Sequence, residues 1–252
     1  LEQKLKEKWD LRDVFITPEV SPSQIKNDLS LAGAQYLEIY AQQESMIALG
    51  WGDTISGITR NLGRLIPPNT SFVTLCGGVM NYLGELTTES VGTPLSGFRY
   101  PFLVIPTPLL VSSSKLRNQM VSEPEVKHVM EVAKSADISM VGIGSLMPST
   151  EFSRFGYKSK KELYSLKKIG AVGEMHGEYF GADGQRLEME HHNRLITIRL
   201  EALRKMKHVV GVAGGKEKID AIAAAMRGGI IHSLITDEMT AKSLSSDSIR
   251  RQ

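Results

Sequence analysis

The chain has 252 residues, 41% hydrophobic and 23% charged, with 30 Lys and Arg against 28 Asp and Glu for a formal charge of +2. These are globular proportions, enough for one sizeable α/β domain, and they argue against a disordered or fibrous chain. So small a surplus of positive charge offers no clustered basic footprint for gripping DNA, and no apolar run approaches the ~18 residues of a membrane span.

Helical and extended patterns alternate along the chain. The charged run Lys4-Leu-Lys-Glu-Lys8 reads as a solvated helix face, followed by the apolar strand Asp13-Val-Phe-Ile-Thr-Pro18. Ser21-Pro22-Ser23 resembles an N-cap region with proline in the opening turn. Apolar residues at helical spacing (Ile25, Leu29, Ala32, Tyr36, Ile39, Tyr40) predict a helix from Gln24 to about Gln43. A buried strand over Ser45–Trp51, a helix from Asp53 through Leu62, and a strand with a glycine turn over Ser71–Gly78 come next. Tyr82 to Gly97 reads as helix plus loop, Phe102–Ile105 as a strand, and Pro106-Thr-Pro108 as a break.

Ser112 to Lys134 predicts two short helices and Ile138–Gly144 a strand with a glycine exit. Leu146 to Ser159 is a polar loop, and a short helix over Lys161–Lys167 precedes an extended segment, Gly170–Phe180. Gly181-Ala-Asp-Gly184 is a turn and His191-His-Asn-Arg194 a solvated bend. The chain then runs through a strand at 208–213, a helix at 217–227, a strand over Ile230–Thr236 and a terminal helix. Strands alternating with helices, and apolar strand runs that are continuous rather than alternating, predict a parallel sheet covered on both faces. The fold class expected is an α/β, Rossmann-like three-layer sandwich.

Four of these strands exit through glycine: Leu49-Gly-Trp-Gly-Asp-Thr54, Leu75-Cys-Gly-Gly-Val79, Val141-Gly-Ile-Gly-Ser145 and Val212-Ala-Gly-Gly-Lys216. In an open parallel sheet such exits share one edge, where ligands bind at the point of strand-order reversal. Backbone amides at a glycine turn opening a helix are the means by which proteins hold phosphate. Lys218, one turn into its helix, can add a positive charge, or can be a solvated helix lysine. Asp53 and Thr54 stand at a helix start, where Asp53 has an ordinary N-capping role as well. Glu174, in Gly173-Glu-Met-His-Gly177, can accept hydrogen bonds from sugar hydroxyls or be a solvated strand residue. His176 beside it is a polar contact or a strand histidine.

Other chemistries find less support. His176, His191 and His192 lack a zinc spacing. Gly50-Trp-Gly52 lacks the third glycine and the downstream acidic residue of a dinucleotide fingerprint. No nucleophile elbow assembles a Ser/His/Asp triad. No metal or cofactor is expected. The single cysteine, Cys76, excludes an internal disulfide and fits a reducing cytoplasm, and the charged N-terminal run lacks the apolar region of a signal peptide.

Taken in order, Ser45–Thr54, Leu75–Gly78, Ile105-Pro-Thr-Pro-Leu109, Ala136–Ser145, Gly170–Glu174, Phe180–Gly184, Val212–Gly215 with Lys218, and Leu234-Ile-Thr-Asp-Glu238 resemble the landmarks of the sugar-binding domain of the SorC family of bacterial transcription regulators. The resemblance covers about residue 10 to residue 245, and within the family a regulator of a sorbose-type sugar operon is nearest. It implies a fold like that of ribose-5-phosphate isomerase and glucosamine-6-phosphate deaminase without their activity, and a sugar or sugar-phosphate effector at the strand C-termini. It puts phosphate-side contacts at Gly52, Asp53, Thr54, Gly77, Gly78 and Lys218, and sugar-side contacts at Glu174 and His176.

Two departures, Gly181 in Phe-Gly-Ala-Asp-Gly where many members have Asp, and Cys76 where some phosphosugar binders are polar or basic, leave the effector's phosphorylation open. The resemblance further implies that residues 1–10 end a linker helix and residues 11–252 form the effector-binding and oligomerisation domain. DNA would be bound only through an N-terminal helix-turn-helix absent from this chain, and the protein would be a homo-oligomer, a dimer or tetramer. The competing expectation is a sugar-phosphate isomerase or deaminase with Glu174 as general base.

Overall fold

A computed structural model of the chain describes residues 1–63, 65–78, 100–147, 160–246 and 249. Helix α1 (Glu2–Trp9) leads into β1 (Asp13–Thr17), α2 (Ile25–Tyr40), β2 (Met46–Leu49), α3 (Asp53–Asn61), β3 (Ser71–Thr74) and β4 (Phe102–Leu103). Helices α4 (Ser114–Ser122) and α5 (Pro124–Lys134) precede β5 (Ile138–Gly142) and β6 (Gly144–Ser145). Helix α6 (Lys160–Lys168), the strands β7 (Gly173–Met175) and β8 (Glu178–Phe180), α7 (Leu200–Leu203) and β9 (Val209–Val212) follow. The chain closes with α8 (Ile219–Arg227), β10 (Ser233–Asp237) and α9 (Glu238–Ser245).

Seven strands form one parallel sheet in the order β1-β10-β9-β5-β2-β3-β4. Alternate strand residues feed opposite faces, as the period of two requires. Ile47, Leu49, Ile138, Met140 and Val210 pack with α2 and α3 (Leu29, Tyr36, Leu37, Ile55, Ile58). Ala48, Val73, Val141, Val209 and Leu234 pack on the other face with α1, α5, α8 and α9 (Trp9, Val129, Ala224, Leu244). The expected three-layer sandwich is therefore the observed fold, and among the described residues no helix is long and apolar enough to cross a membrane.

Several boundaries differ from expectation, each for a local reason. Helix α2 stops at Tyr40 because Ser45 Oγ accepts the Gln42 amide and Glu44 turns left-handed, at φ 63°. Strand β4 ends at Leu103 because the Ile105 amide donates to Thr74 Oγ1, a side chain, and Pro106 and Pro108 have no amide to give. The single strand expected over Ile138–Gly144 divides: β5 stays in the parallel sheet while β6 joins a second, antiparallel sheet, β6-β7-β8. The segment expected to be extended over Gly170–Phe180 is a hairpin. The helix expected at 217–227 begins as a 3-10 turn, Lys216–Lys218. The helix plus loop expected from Tyr82 to Gly97, and most of the loop expected from Leu146 to Ser159, lie outside the described residues.

The solvated bend expected at His191–Arg194 is instead a 3-10 turn with His191 and His192 buried. His191 Nε2 donates to the Gly177 carbonyl (3.0 Å), His192 Nε2 accepts the Tyr179 amide (3.0 Å), and both rings pack on Tyr179. The hairpin thus has a polar floor that sequence polarity did not reveal.

Glu178, 1% exposed, fixes that hairpin to the body of the domain. Its Oε1 accepts from Arg186 Nε and Arg199 Nη1, both at 2.9 Å, and its Oε2 from the Leu200 amide at 2.8 Å. Removing one partner of a buried ion pair strands the other charge, at a cost of about 3–5 kcal/mol. Glu178→Ala is therefore expected to lower the unfolding free energy by about 3 kcal/mol in urea denaturation; a loss below about 1 kcal/mol would mean the carboxylate is not the anchor.

Candidate functional site

The strand order reverses between β2 and β5: the chain builds outward from β2 through β3 to β4, then crosses back to β5 and continues outward through β9 and β10. Diverging connections open a crevice at such a point. A cavity of about 170 Å³ lies there, lined by Trp51, Gly52, Thr54 and Ile55 beyond β2 and by Gly142, Ile143, Gly144 and Ser145 at the end of β5. Val212, Glu217 and Lys218 at the exit of β9, Lys26 of α2, and Glu174 and His176 of the hairpin complete its described lining.

The hairpin delivers the two inner polar groups. Its turn residues, His176 (φ 52°) and Gly177 (φ 83°), both have positive φ, as a two-residue type I′ turn requires. Glu174 is 8% exposed, and its Oε2 accepts the Gly177 amide at 3.1 Å, tying the carboxylate to the same turn. Two glycines on facing strand ends make room for these side chains. A Cβ on Gly144 would lie 2.2 Å from Glu174 Oε1, and a Cβ on Gly50 would lie 2.4 Å from His176 Nε2. The Glu174 and His176 side chains therefore fill space left by the absence of a Cβ at Gly144 and Gly50.

The opposite wall carries two lysines, Lys26 and Lys218, with Glu217 also in its lining, and the start of a helix. Helix α3 starts from Gly52 and points its first turn, with the positive end of its dipole, toward the cavity. Lys26 reaches across from α2 and pairs with Asp53. Lys218 ends the 3-10 turn that follows Gly215. That turn is held by Asp237, 1% exposed, whose Oδ2 accepts from the Gly215 amide (2.8 Å) and from Thr240 Oγ1 (2.6 Å). Both walls are thus anchored by buried carboxylates, Glu178 on one side and Asp237 on the other.

Of the residues singled out from sequence, the cavity gathers Gly52, Thr54, Glu174, His176 and Lys218. Asp53 is not in its described lining: it is the first residue of α3, with Gly52 at the N-cap position, so its carboxylate pairs with Lys26 rather than capping the helix. Gly77 and Gly78 are not there either. The Gly77 amide donates to the Ile196 carbonyl (2.9 Å) and the Gly78 amide to the Thr107 carbonyl (2.8 Å), so these two amides are spent inside the fold. Glu174 is a buried residue rather than a solvated strand carboxylate.

Sequence reasoning missed Lys26, Trp51, Ser145 and Glu217. Trp51 and Ser145 sit inside quoted glycine exits and were within reach. Lys26 carries no signal, since only the packing of α2 on α3 brings it to the rim. Among the described residues, no group of three His, Cys, Asp or Glu is placed to hold a metal ion.

Burial governs the titration of the interior. It pushes the Cys76 thiol up to about 12, with the nearby Glu174 adding to the effect, so the sulfur stays protonated. It pushes His176 down to about 4 and, with His191 and the Arg186 and Arg199 charges, His192 down to about 3.

The Sugar-bind family model, which describes a sugar-binding domain, matches residues 1–245. The transcriptional regulator LsrR of Enterobacter sp. (strain 638) is 32% identical over 248 residues, spanning 97% of this chain and 75% of that protein. LsrR of Escherichia coli (strain K12) is 33% identical over 247 residues, with 96% of this chain and 76% of that protein covered. The full-length sorbitol operon regulator SorC from Klebsiella pneumoniae superposes with a TM-score of 0.83 at 22% identity, covering 97% of this chain and 80% of that one. A DeoR family transcriptional regulator from Listeria monocytogenes gives 0.81 at 21% identity, with 96% of each chain covered.

A histidine whose folded pKa lies below its unfolded value of about 6.5 binds a proton in the unfolded chain first. Stability is therefore full above about pH 6.5 and falls as pH drops toward the folded values, about 4 for His176 and about 3 for His192. Each such group contributes a slope of up to about 1.4 kcal/mol per pH unit in that window. Urea midpoints between pH 7 and pH 4.5 are expected to fall steadily, and His176→Asn should remove one proton's share of the slope. An unchanged slope in the variant would mean that the ring titrates normally.

Proposed function

We propose that this chain, which belongs to the sugar-binding domain family of SorC-type transcription regulators, is an effector sensor that holds a sugar or sugar phosphate in the cavity between β2 and β5. The observation that carries this reading is the pairing of two unlike walls: a carboxylate and an imidazole on one, a lysine and a helix N-terminus on the other. A ligand with hydroxyls at one end and an anion at the other satisfies both, with the anion at α3 and Lys218 and the hydroxyls at Glu174 and His176. Lys26 can share the anion, since its pairing with Asp53 places it at the rim. The sugar-side role of Glu174 is supported by its fixed position in the hairpin turn.

Sensing requires that the ligand bind two arrangements of the protein unequally. A ligand seated here joins the small antiparallel sheet to the main sheet, so it favours whichever arrangement closes them. That difference would reach DNA through a separate domain, with residues 1–10 as the end of the connecting helix. The working form would be a cytoplasmic homo-oligomer, a dimer or tetramer. The relatives' naming as regulators supports sensing over turnover. Hydrogen–deuterium exchange into a bound sugar phosphate, abolished by Glu174→Gln, would instead establish Glu174 as a catalytic base.

A ligand at 100 times its dissociation constant adds about 2.7 kcal/mol of stability, which thermal-shift screening resolves. At least one member of a broad panel of sugars and sugar phosphates is expected to raise the Tm. Lys218→Ala should weaken a phosphorylated ligand by about 1.5–3 kcal/mol and leave its unphosphorylated parent nearly unchanged. Equal losses for both would remove Lys218 from the phosphate side.

A further inference from the structure

The glycine pair Gly214-Gly215 at the exit of β9 has the sequence of a phosphate cradle, but its geometry answers to a different partner. A Cβ on Gly214 would lie 2.2 Å from Asp237 Oδ2, and Gly215 has φ 102°. The Gly215 amide is spent on Asp237 Oδ2 (2.8 Å) and Thr240 Oγ1 (2.9 Å), so both glycines serve to seat the start of α9. Asp237 caps that helix, its Oδ1 accepting the Thr240 amide at 2.9 Å, and Thr240 is fully buried. The turn that carries Lys218 is therefore locked to α9, and α8 begins at the next residue, Ile219.

Both helices end on one side chain. At the far end of α9, the Leu244 carbonyl accepts from Lys8 Nζ (3.0 Å) and from Trp9 Nε1 (3.2 Å), and Lys8 also donates to the Ser246 carbonyl. The Lys8 ammonium thus sits at the negative end of the α9 dipole, with the Asp237 carboxylate at the positive end. Arg227, the last residue of α8, stands over the Trp9 ring at 5.9 Å, and Lys8 stands over it at 5.4 Å. Trp9 is 3% exposed and is the last residue of α1. Two helices of nine and eight residues, each about 12–14 Å long, so run from the Lys218 turn to the end of α1. We infer that the Trp9 joint reads the position of the Lys218 turn: a ligand in the crevice shifts the turn, and α8 and α9 carry that shift to α1. This rests on the sensor reading of the crevice and names the route by which its state leaves the domain. Packed helices anchored at both ends hold discrete arrangements rather than deforming continuously, which is what lets a small displacement travel.

The chain has two tryptophans, Trp51 in the crevice lining and Trp9 at the joint, so each end of the route carries its own reporter. Protein labelled with 5-fluorotryptophan, its two fluorine NMR resonances assigned with Trp9→Phe, is titrated with inorganic phosphate and with each sugar and sugar phosphate of the thermal-shift panel. A probe that shifts the Trp51 resonance is expected to shift the Trp9 resonance along the same saturation curve. Thr240→Val removes the hydroxyl between the turn and α9; it should leave the Trp51 response saturable and cut the Trp9 displacement about twofold or more. Thr240→Ser, which keeps the hydroxyl, should restore it. Lys8→Met, at the opposite end of α9, should also diminish the Trp9 response, and it decides the matter if Thr240→Val folds poorly. A Trp51 shift with an unmoved Trp9 in wild type overturns the relay and leaves the sensor reading intact. An undiminished Trp9 response in the folded variants overturns α9 as the route. Failure of every probe to shift Trp51 overturns the sensor reading, and this inference with it.

Discussion

Parallel strand direction is the constraint on which this molecule depends. When all seven strands of the main sheet run the same way, all their carboxyl ends emerge on one edge, and the connections that follow must begin there. Reversal of strand order between β2 and β5 then parts those connections and leaves the crevice. An antiparallel sheet of the same residues would send alternate exits to opposite edges, and Gly52, Gly144 and Lys218 could not share a cavity. The apolar pattern that forces the strands to be buried on both faces is thus also what creates the site.

The sheet alone would supply only backbone and a few flanking side chains. The inner polar groups, Glu174 and His176, arrive from a second, small sheet, whose strand β6 is the direct continuation of β5 after a single intervening residue, Ile143. That continuity places at the crevice the edge on which the hairpin pairs, through Gly144 opposite Glu174 and Ser145 opposite Gly173. Gly50 and Gly144 leave room for the hairpin's side chains, because a Cβ at either position would meet His176 or Glu174. The buried carboxylates Glu178 and Asp237 hold the two walls from behind. Their hydrogen bonds to Arg186, Arg199 and the Leu200 amide, and to the Gly215 amide and Thr240, set where the polar groups of each wall stand.

The layered fold was legible in the sequence because it is written in periodicity: Ile47, Ala48 and Leu49 declare a strand buried on both faces, and Leu29, Ala32 and Tyr36 a helix packed on it. The glycine exits were legible too, and three of the four reach the crevice. What separates them is hydrogen-bond demand. The Gly77 and Gly78 amides answer carbonyls at Ile196 and Thr107, and partners so distant in sequence leave no local mark. The burial of His191 and His192 was illegible for the same reason: polar residues in a polar run read as solvated, and only the stack on Tyr179 shows otherwise. Glu174 and His176 stood out by composition, as bulky polar residues between glycines, whereas their burial comes from tertiary docking.

The energetics of His176, whose ring nitrogens hydrogen-bond to no described residue, bear on what kind of site this is. An unpaired buried polar group costs about 1–3 kcal/mol, and a non-glycine residue at positive φ roughly 1–3 kcal/mol more. Against a total stability of order 5–15 kcal/mol, that is a large burden for one side chain. Asparagine would suit the turn better, and an apolar side chain would suit the burial better. A folded chain that carries both costs in one residue, at the floor of its crevice and beside a fixed carboxylate, departs from the optimum for stability where polar recognition would recover the loss. On the proposed reading, the groups that make the free domain less stable than it could be are also ones through which a bound ligand would stabilise it, and that difference is what a sensor has to report.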